Sequence, residues 1–323
     1  MTSRSFITGA GGQDGGYLAE ALAARGDEVH VLALPGEPLP DVPETAHVHR
    51  GDVTDVEATR RLILDLAPDR VFNLAALSSV AQSWAEPDRT AQVNGTAAVA
   101  LLESARLLGE RGADVRFVQA SSAEIFGHPD ASPQDEATSV RPTNPYGAAK
   151  AYAHLAVGVY RARGLHASSL VLYNHESPRR PAQFVTRKVT STVAAIANGR
   201  ADRLTLGTLE PRRDWGWAPD YVTAMIAAAD APQADDYVIA TGVAHSIRDL
   251  VSTAFARVGI DDWEPLVELD PALARPSDAP ELVGDATRAR TALGWTPTVD
   301  FEEIVARMVD ADLATLQRSR GST

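Results

Sequence analysis

The chain has 323 residues, 45% of them hydrophobic, enough for one large domain or two smaller lobes around a real core. It contains no cysteine, which excludes disulfides and thiolate metal sites, and no apolar run long enough to span a bilayer. The formal net charge of -13 disfavours nucleic acid and anionic membranes as partners, and the first residues lack a basic-then-apolar leader pattern, so a cytoplasmic protein is expected.

The first half alternates strands with helices. Ser5–Thr8 reads as a strand and Gly16–Arg25 as a helix with Leu18, Ala21 and Leu22 on one side. Glu28–Leu34 and His47–Arg50 are the next strands, followed by a helix over Val56–Leu66. Arg70–Leu74 is a fourth strand, Thr90–Leu108 a long helix and Val115–Ala120 a fifth strand. Tyr146–Arg163 is a helix and Ala167–Leu172 a sixth strand. This alternation predicts an α/β fold, a doubly wound parallel sheet of Rossmann type with helices on both faces.

After Tyr173 the pattern loosens, with helices at Phe184–Ala197 and Ser246–Val258 among prolines, arginines and short strands. This region predicts a smaller α/β substrate lobe. The expected division is residues 1–172 plus about 213–241 for the dinucleotide lobe, and 173–212 plus about 242–323 for the substrate lobe. No low-complexity linker separates them, so the lobes are expected to pack closely around a cleft, and Arg320-Gly321-Ser322-Thr323 to form a small polar tail.

The strand Phe6-Ile7 runs into Thr8-Gly9-Ala10-Gly11-Gly12-Gln13-Asp14-Gly15. Glycines at 9, 12 and 15 let backbone approach a pyrophosphate, and the following helix offers free N–H groups and positive dipole. A cofactor site is therefore expected at Gly9, Gly12, Gln13, Asp14 and Gly15. Asp52 and Val53 after the third strand, and Leu74, Ala75 and Ala76 after the fourth, stand at strand carboxyl ends, where dinucleotides bind.

Tyr146 and Lys150 are four residues apart, hence on one helix face. An ammonium and a cationic nicotinamide ring both favour the phenolate, making Tyr146 a candidate base for a sugar hydroxyl. Ser122, at the end of the fifth strand, is placed to hydrogen-bond that hydroxyl. Glu124 suggests more than alcohol oxidation: once C4 of a sugar is a ketone, a carboxylate can remove the C5 proton and protonate the departing C6 oxygen. Arginines recurring after Tyr173 (Arg179, Arg180, Arg187, Arg212, Arg213, Arg275) suggest a diphosphate clamp in an otherwise acidic chain. His175 and Glu176 lack a second ligand cluster, so no metal is expected there.

At these residues the chain resembles the GDP-mannose 4,6-dehydratase family of extended short-chain dehydrogenases/reductases. The resemblance spans nearly the whole length and rests on Thr8–Tyr17, Gln119–Gly127, Tyr146–Lys150, Leu172–Lys188, Arg213–Gly216, Asp220–Val222, Val238–Gly242 and Leu293–Pro297. It implies Ser122, Glu124, Tyr146 and Lys150 as the catalytic set. It also implies Asn174, Lys188, Arg213, Arg275 and Asp278 as nucleotide-sugar contacts alongside Ser122 and Glu124. A homo-oligomer (dimer or tetramer) is implied as well, and NADP as cofactor with NAD as the alternative. The family's Arg-Arg-Ser stretch, tied to the NADP 2′-phosphate and to tetramer contacts, is replaced by Ala33–Pro38, which has no arginine. The expected reaction is redox-neutral 4,6-dehydration of a nucleotide-linked hexose. The alternatives are a 4-reductase or epimerase of the same superfamily, or a non-catalytic NAD(P)-sensing protein.

Overall fold

The computed structural model describes residues 2–273 and 281–320. Seven parallel strands form the main sheet: β1 (Arg4–Thr8), β2 (Glu28–Ala33), β3 (His47–Arg50), β4 (Arg70–Asn73), β5 (Arg116–Ala120), β6 (His166–Leu172) and, much later in the chain, β10 (Asp236–Ile239). Their order is β10-β6-β5-β4-β1-β2-β3, the doubly wound arrangement that the alternation predicts. Because strand side chains alternate in direction, Phe6, Val71 and Phe117 face one way and Ile7, Phe72 and Val118 the other.

The first face is covered by α2 (Val56–Leu66), α5 (Ala97–Glu110) and α6 (Pro145–Arg161). The second is covered by α1 (Gln13–Ala24), α8 (Ala218–Asp230) and α10 (Thr287–Leu293). Phe6 and Phe117 are fully buried, each contributing about 1.5–3 kcal/mol of hydrophobic stabilisation. The order reverses between β1 and β4, which opens a crevice at the strand carboxyl ends.

Two short helices, α3 (Val80–Ala85) and α4 (Pro87–Ala91), precede α5. The expected continuous helix from Thr90 to Leu108 is interrupted by a π-helical turn over Gln92–Thr96. The turn brings the buried Asn94 to Leu77: Asn94 Oδ1 accepts from the Leu77 amide at 2.8 Å and Nδ2 donates to the Leu77 carbonyl at 3.0 Å. Gly95 in the same turn lies against the Tyr152 ring, where a Cβ would sit 3.0 Å from Cδ1.

A smaller sheet runs β11 (Ala244–Ser246)-β9 (Arg212–Trp217)-β13 (Glu281–Leu282), with β7 (Asn174–Glu176) also paired to β9; β8 (Leu204–Leu206) pairs with β12 (Val267–Leu269). Helices α7 (Val185–Ala197), α9 (Ile247–Arg257) and α11 (Phe301–Arg320) share a core with them that includes Val189, Val193, Trp215, Leu250, Val251, Phe301 and Val305. Sequence reading missed α11, although Phe301, Ile304, Val305, Met308 and Val309 recur at helical spacing and are buried. Residues 321–323, expected as a tail, lie outside the described residues. Among the described residues no helix is long and apolar enough to cross a membrane.

Candidate active site

A cleft of about 600 Å³ lies between the carboxyl ends of the large sheet and the smaller lobe. The glycine loop forms one wall. Gly9 has φ +74°, and a Cβ there would meet the Ala75 amide at 2.7 Å; one at Gly15 would lie 2.3 Å from the Gly9 carbonyl. Gly12 is the N-cap of α1 and makes no side-chain capping bond, so no cap takes up the helix's first amide groups. This glycine cradle fits a dinucleotide pyrophosphate. Leu74 and Ala76 line the same cleft.

Three expected cofactor residues stand outside that lining. Asp52 is held by Arg89 at 2.6 Å and by the Thr54 hydroxyl at 2.8 Å. Val53 is buried in the core beneath. Ala75 packs under Gly9, its amide donating to Thr8 Oγ1 at 3.2 Å. Gln13 and Asp14 line the cleft, yet their side chains are also committed across the lobes. Gln13 Nε2 donates to the His175 carbonyl at 3.1 Å and its Oε1 accepts from Ser177 at 2.7 Å. Asp14 Oδ2 lies 2.8 Å from His175 Nε2.

Ser122, Glu124, Tyr146 and Lys150 all face this cleft. The carboxyl ends of β1, β4 and β5 are tied by a buried chain of bonds. Thr8 donates to Asn73 at 2.6 Å, Asn73 to Gln119 at 2.8 Å, and Gln119 to the Ala120 carbonyl at 2.9 Å. The same carbonyl accepts from Lys150 Nζ at 2.8 Å, which fixes α6 to the sheet. The Lys150 ammonium lies 5.9 Å from the centre of the Tyr146 ring. Ser122 opens a single 3-10 turn over Ala123–Ile125, its Oγ accepting from the Glu124 amide at 3.3 Å.

Burial pushes Tyr146 up to about 12, while a hydrogen bond with Ser122 pulls it down. Burial also lowers Lys150 to about 8. In the protein alone desolvation therefore outweighs the help to the phenolate, which comes from the Ser122 hydrogen bond and the Arg180 charge, with Glu124 and Asp14 opposing it. A bound cationic ring would add to that help.

Sequence reasoning missed Asn144. It is the N-cap of α6, its Oδ1 accepting from the Gly147 amide at 2.8 Å while Nδ2 donates to Glu124 Oε2 at 2.8 Å. A Cβ on Gly147 would lie 2.5 Å from the Glu124 carbonyl, so the Glu124 turn and α6 are in close contact. An Asn directly before Pro145-Tyr146 was the available signal, since Asn is a favoured N-cap and Pro a favoured first helical residue.

Asn174, Lys188 and Arg213 line the opposite wall, on β7, α7 and β9 respectively. Arg213 is buried and its Nη1 donates to the Arg212 carbonyl at 2.8 Å. Arg275 and Asp278 lie outside the described residues. Of the other arginines, Arg180 lines the cleft and stacks on Phe184 at 3.7 Å, Arg179 pairs with Glu20 at 2.7 Å, and Arg187 pairs with Asp312.

The family model described as GDP-mannose 4,6 dehydratase matches residues 6–308. GDP-mannose 4,6 dehydratase 1 of Arabidopsis thaliana is 40% identical over 98% of this chain and 91% of its own. The GDP-mannose 4,6-dehydratase of Vibrio cholerae is 37% identical over 98% of this chain and 96% of its own. Among solved structures, UDP-glucose 4-epimerase from Thermotoga maritima superposes with a TM-score of 0.86 at 26% identity, covering 97% of this chain and 99% of that one. UDP-glucose 4-epimerase from Thermus thermophilus, a complex with NAD, gives 0.84 at 29% identity, covering 96% of this chain and 98% of that one. With a carboxylate beside the tyrosine and serine, and with these likenesses over nearly its full length, the chain belongs to the GDP-mannose 4,6-dehydratase family and is a nicotinamide-dependent nucleotide-sugar 4,6-dehydratase.

Proposed function

We propose that the substrate is GDP-mannose and the product GDP-4-keto-6-deoxymannose. The observation that carries this reading is Glu124: a carboxylate fixed by Asn144 in the cleft that also presents Tyr146 and Ser122. Ketone reduction needs the tyrosine and serine alone, whereas elimination needs a second acid/base. The relatives' names supply the nucleotide and sugar.

Tyr146 takes the proton from the C4 hydroxyl, with Ser122 holding that oxygen and Lys150 fixing the helix and the cofactor ribose. A nicotinamide held by the glycine loop with Leu74 and Ala76 would supply the hydride chemistry, taking hydride from C4 and giving it back at C6. Glu124 removes the C5 proton that the C4 ketone has acidified, then gives a proton to the C6 oxygen, which leaves as water. Return of hydride to C6 leaves an enolate that takes a proton at C5; the proton Tyr146 took from the C4 hydroxyl balances it, so turnover releases one water and no net proton. Asn174, Lys188 and Arg213 hold the nucleotide and diphosphate from the smaller lobe. Mass spectrometry of the protein with GDP-mannose and no added reductant tests the reading. The product is expected lighter by one water; an unchanged mass, or reduction that consumes added cofactor, contradicts it.

For the cofactor, family resemblance points to NADP, but the geometry supports NAD. Glu37 lines the cleft and lies over the glycine loop, so that a Cβ on Gly11 would fall 2.2 Å from its Oε1. Its Oε2 is anchored by the Leu34 amide at 2.9 Å. Arg50 is turned away to the carbonyls of Leu34 and Glu37, at 3.0 and 2.8 Å. A carboxylate at this place favours ribose hydroxyls over a 2′-phosphate.

The lobe division expected from sequence remains our assignment, supported by β10 in the large sheet. Two refinements go with it: β9 belongs with the smaller sheet, and α10 packs with α8 and β10. We also assign a homodimer through α6. Tyr152, Leu155 and Val159 share one face and are 53%, 57% and 61% exposed, with Trp84 beside them at 59%. Leu155→Glu is expected to halve the mass measured by light scattering.

A further inference from the structure

The sheet edge farthest from β10 carries a cluster that the dehydratase chemistry does not use. Glu28 and His30 alternate to one face of β2, and His47 and His49 to the same face of β3. The parallel register sets His30 beside His47 and Leu32 beside His49. His30 Nε2 lies 2.9 Å from Glu28 Oε1, and His30 Nδ1 lies 3.0 Å from His49 Nε2. The His30 ring stacks on His47 at 4.6 Å and on His49 at 5.3 Å. Three of the chain's eight histidines therefore gather on two neighbouring strands.

One donor atom from each of Glu28, His30 and His47 lies within 4.8 Å of the other two. Small rotations of the half-buried Glu28 and the exposed His47 about the buried His30 close such a set around one ion. We propose that Glu28, His30 and His47 bind a divalent transition metal, Zn²⁺ being the best match to two imidazoles and a carboxylate. Water completes the coordination on the exposed side of His47.

The surroundings hold the set in place: His30 is buried, with its ring stacked against those of its two histidine neighbours. Arg4 on β1 approaches Glu28 at Oε2, 3.2 Å away, and leaves Oε1 toward His30. With metal on His30 Nε2 the ring proton moves to Nδ1, where His49 Nε2 accepts it; this is the outer-sphere partner that ligating histidines usually have. Glu28 and His47 are the first residues of their strands, whereas the cleft lies at the strands' carboxyl ends. The ion would therefore clamp the edge strand β3 to β2 rather than take part in turnover.

The test uses the full chain without an affinity tag, stripped with chelator and titrated with ZnCl₂ by calorimetry. The proposal expects one saturable equivalent and a rise in melting temperature. His47→Gln and Glu28→Gln should each weaken binding by about tenfold or more while dehydratase turnover stays unchanged. His47 is exposed, so its replacement leaves the fold intact. No saturable binding up to millimolar zinc, or equal affinity in both variants, overturns the site. Since turnover is measured separately, either result leaves the dehydratase reading untouched.

Discussion

Glu124 and Asn144 share a bond of 2.8 Å, and that contact decides which reaction this cleft can perform. Glu124→Gln keeps the shape and the Asn144 contact but removes the base. Product formation should fall by roughly two to four orders of magnitude, while substrate still reduces bound cofactor in a single turnover. Near-normal product from this variant would make Glu124 a loop carboxylate. Tyr146 offers a second test. The Ser122 hydrogen bond is what pulls the phenol down against burial, so Ser122→Ala should raise it further. Because the base acts deprotonated, the acidic limb of the kcat profile should move to higher pH. The lost bond, about 0.5–1.5 kcal/mol, corresponds to a rate loss of roughly two- to twelvefold. An unmoved limb would separate Ser122 from the base.

Helix α6 carries Tyr146 and Lys150, the proposed catalytic pair, and its start is set by Asn144. Asn144→Ser retains a capping oxygen but cannot reach Glu124, so it should lower kcat with little change in melting temperature. Asn144→Ala should lower both, the lost cap costing about 0.5–2 kcal/mol. Most elements were legible in the sequence because strand and helix periods alternate cleanly up to Leu172. The π turn at Gln92–Thr96 was not, because its cause is a tertiary contact: Asn94 satisfying both backbone groups of Leu77. The proposed catalytic residues stand out in the sequence as motifs that the fold brings to one cleft, but the position of Glu124 relative to Tyr146 does not. It depends on an asparagine that serves two elements at once.

Several of the characteristic stretches are tied by hydrogen bonds to segments distant in sequence. Asp214 accepts from the Thr241 amide and hydroxyl and from the Gly242 amide at 2.6–2.8 Å, and Asp220 accepts from Thr298 while its carbonyl takes the Trp295 indole at 2.7 Å. Asp14 and His175 form the corresponding contact beside the cofactor loop, His175 stacking on Tyr221 at 4.5 Å. Burial opposes both charges, yet Asp14 raises His175 above 6.5, and His175 with Arg180 lowers Asp14 below 3.8. The His175 share of stability is full below pH 6.5 and is lost as pH rises through the raised folded value. The Asp14 share is full above pH 3.8 and is lost as pH falls through the lowered one. Urea unfolding of the protein and of His175→Gln should therefore differ most in weakly acidic buffer and converge as pH rises. A difference that stays constant with pH would mean that the pair is not charged.

The proposed preference for NAD arises at the same scale, since Glu37, Gly11 and Arg50 come from three separate segments and meet only in the fold. The replacement of the family's arginines by Ala33–Pro38 was visible in the sequence, but the place of Glu37 over Gly11 was not. Nucleotide released by denaturing the purified protein should be NAD; NADP alone would show that Glu37 turns aside.

The central claim is that one site both removes hydride from the sugar and gives it back. GDP-mannose deuterated at C4 tests it most directly. The account predicts a product that has lost one water and carries the deuterium at C6, with no label in the cofactor after turnover. Deuterium recovered in released, reduced nicotinamide, with none at C6, would contradict it.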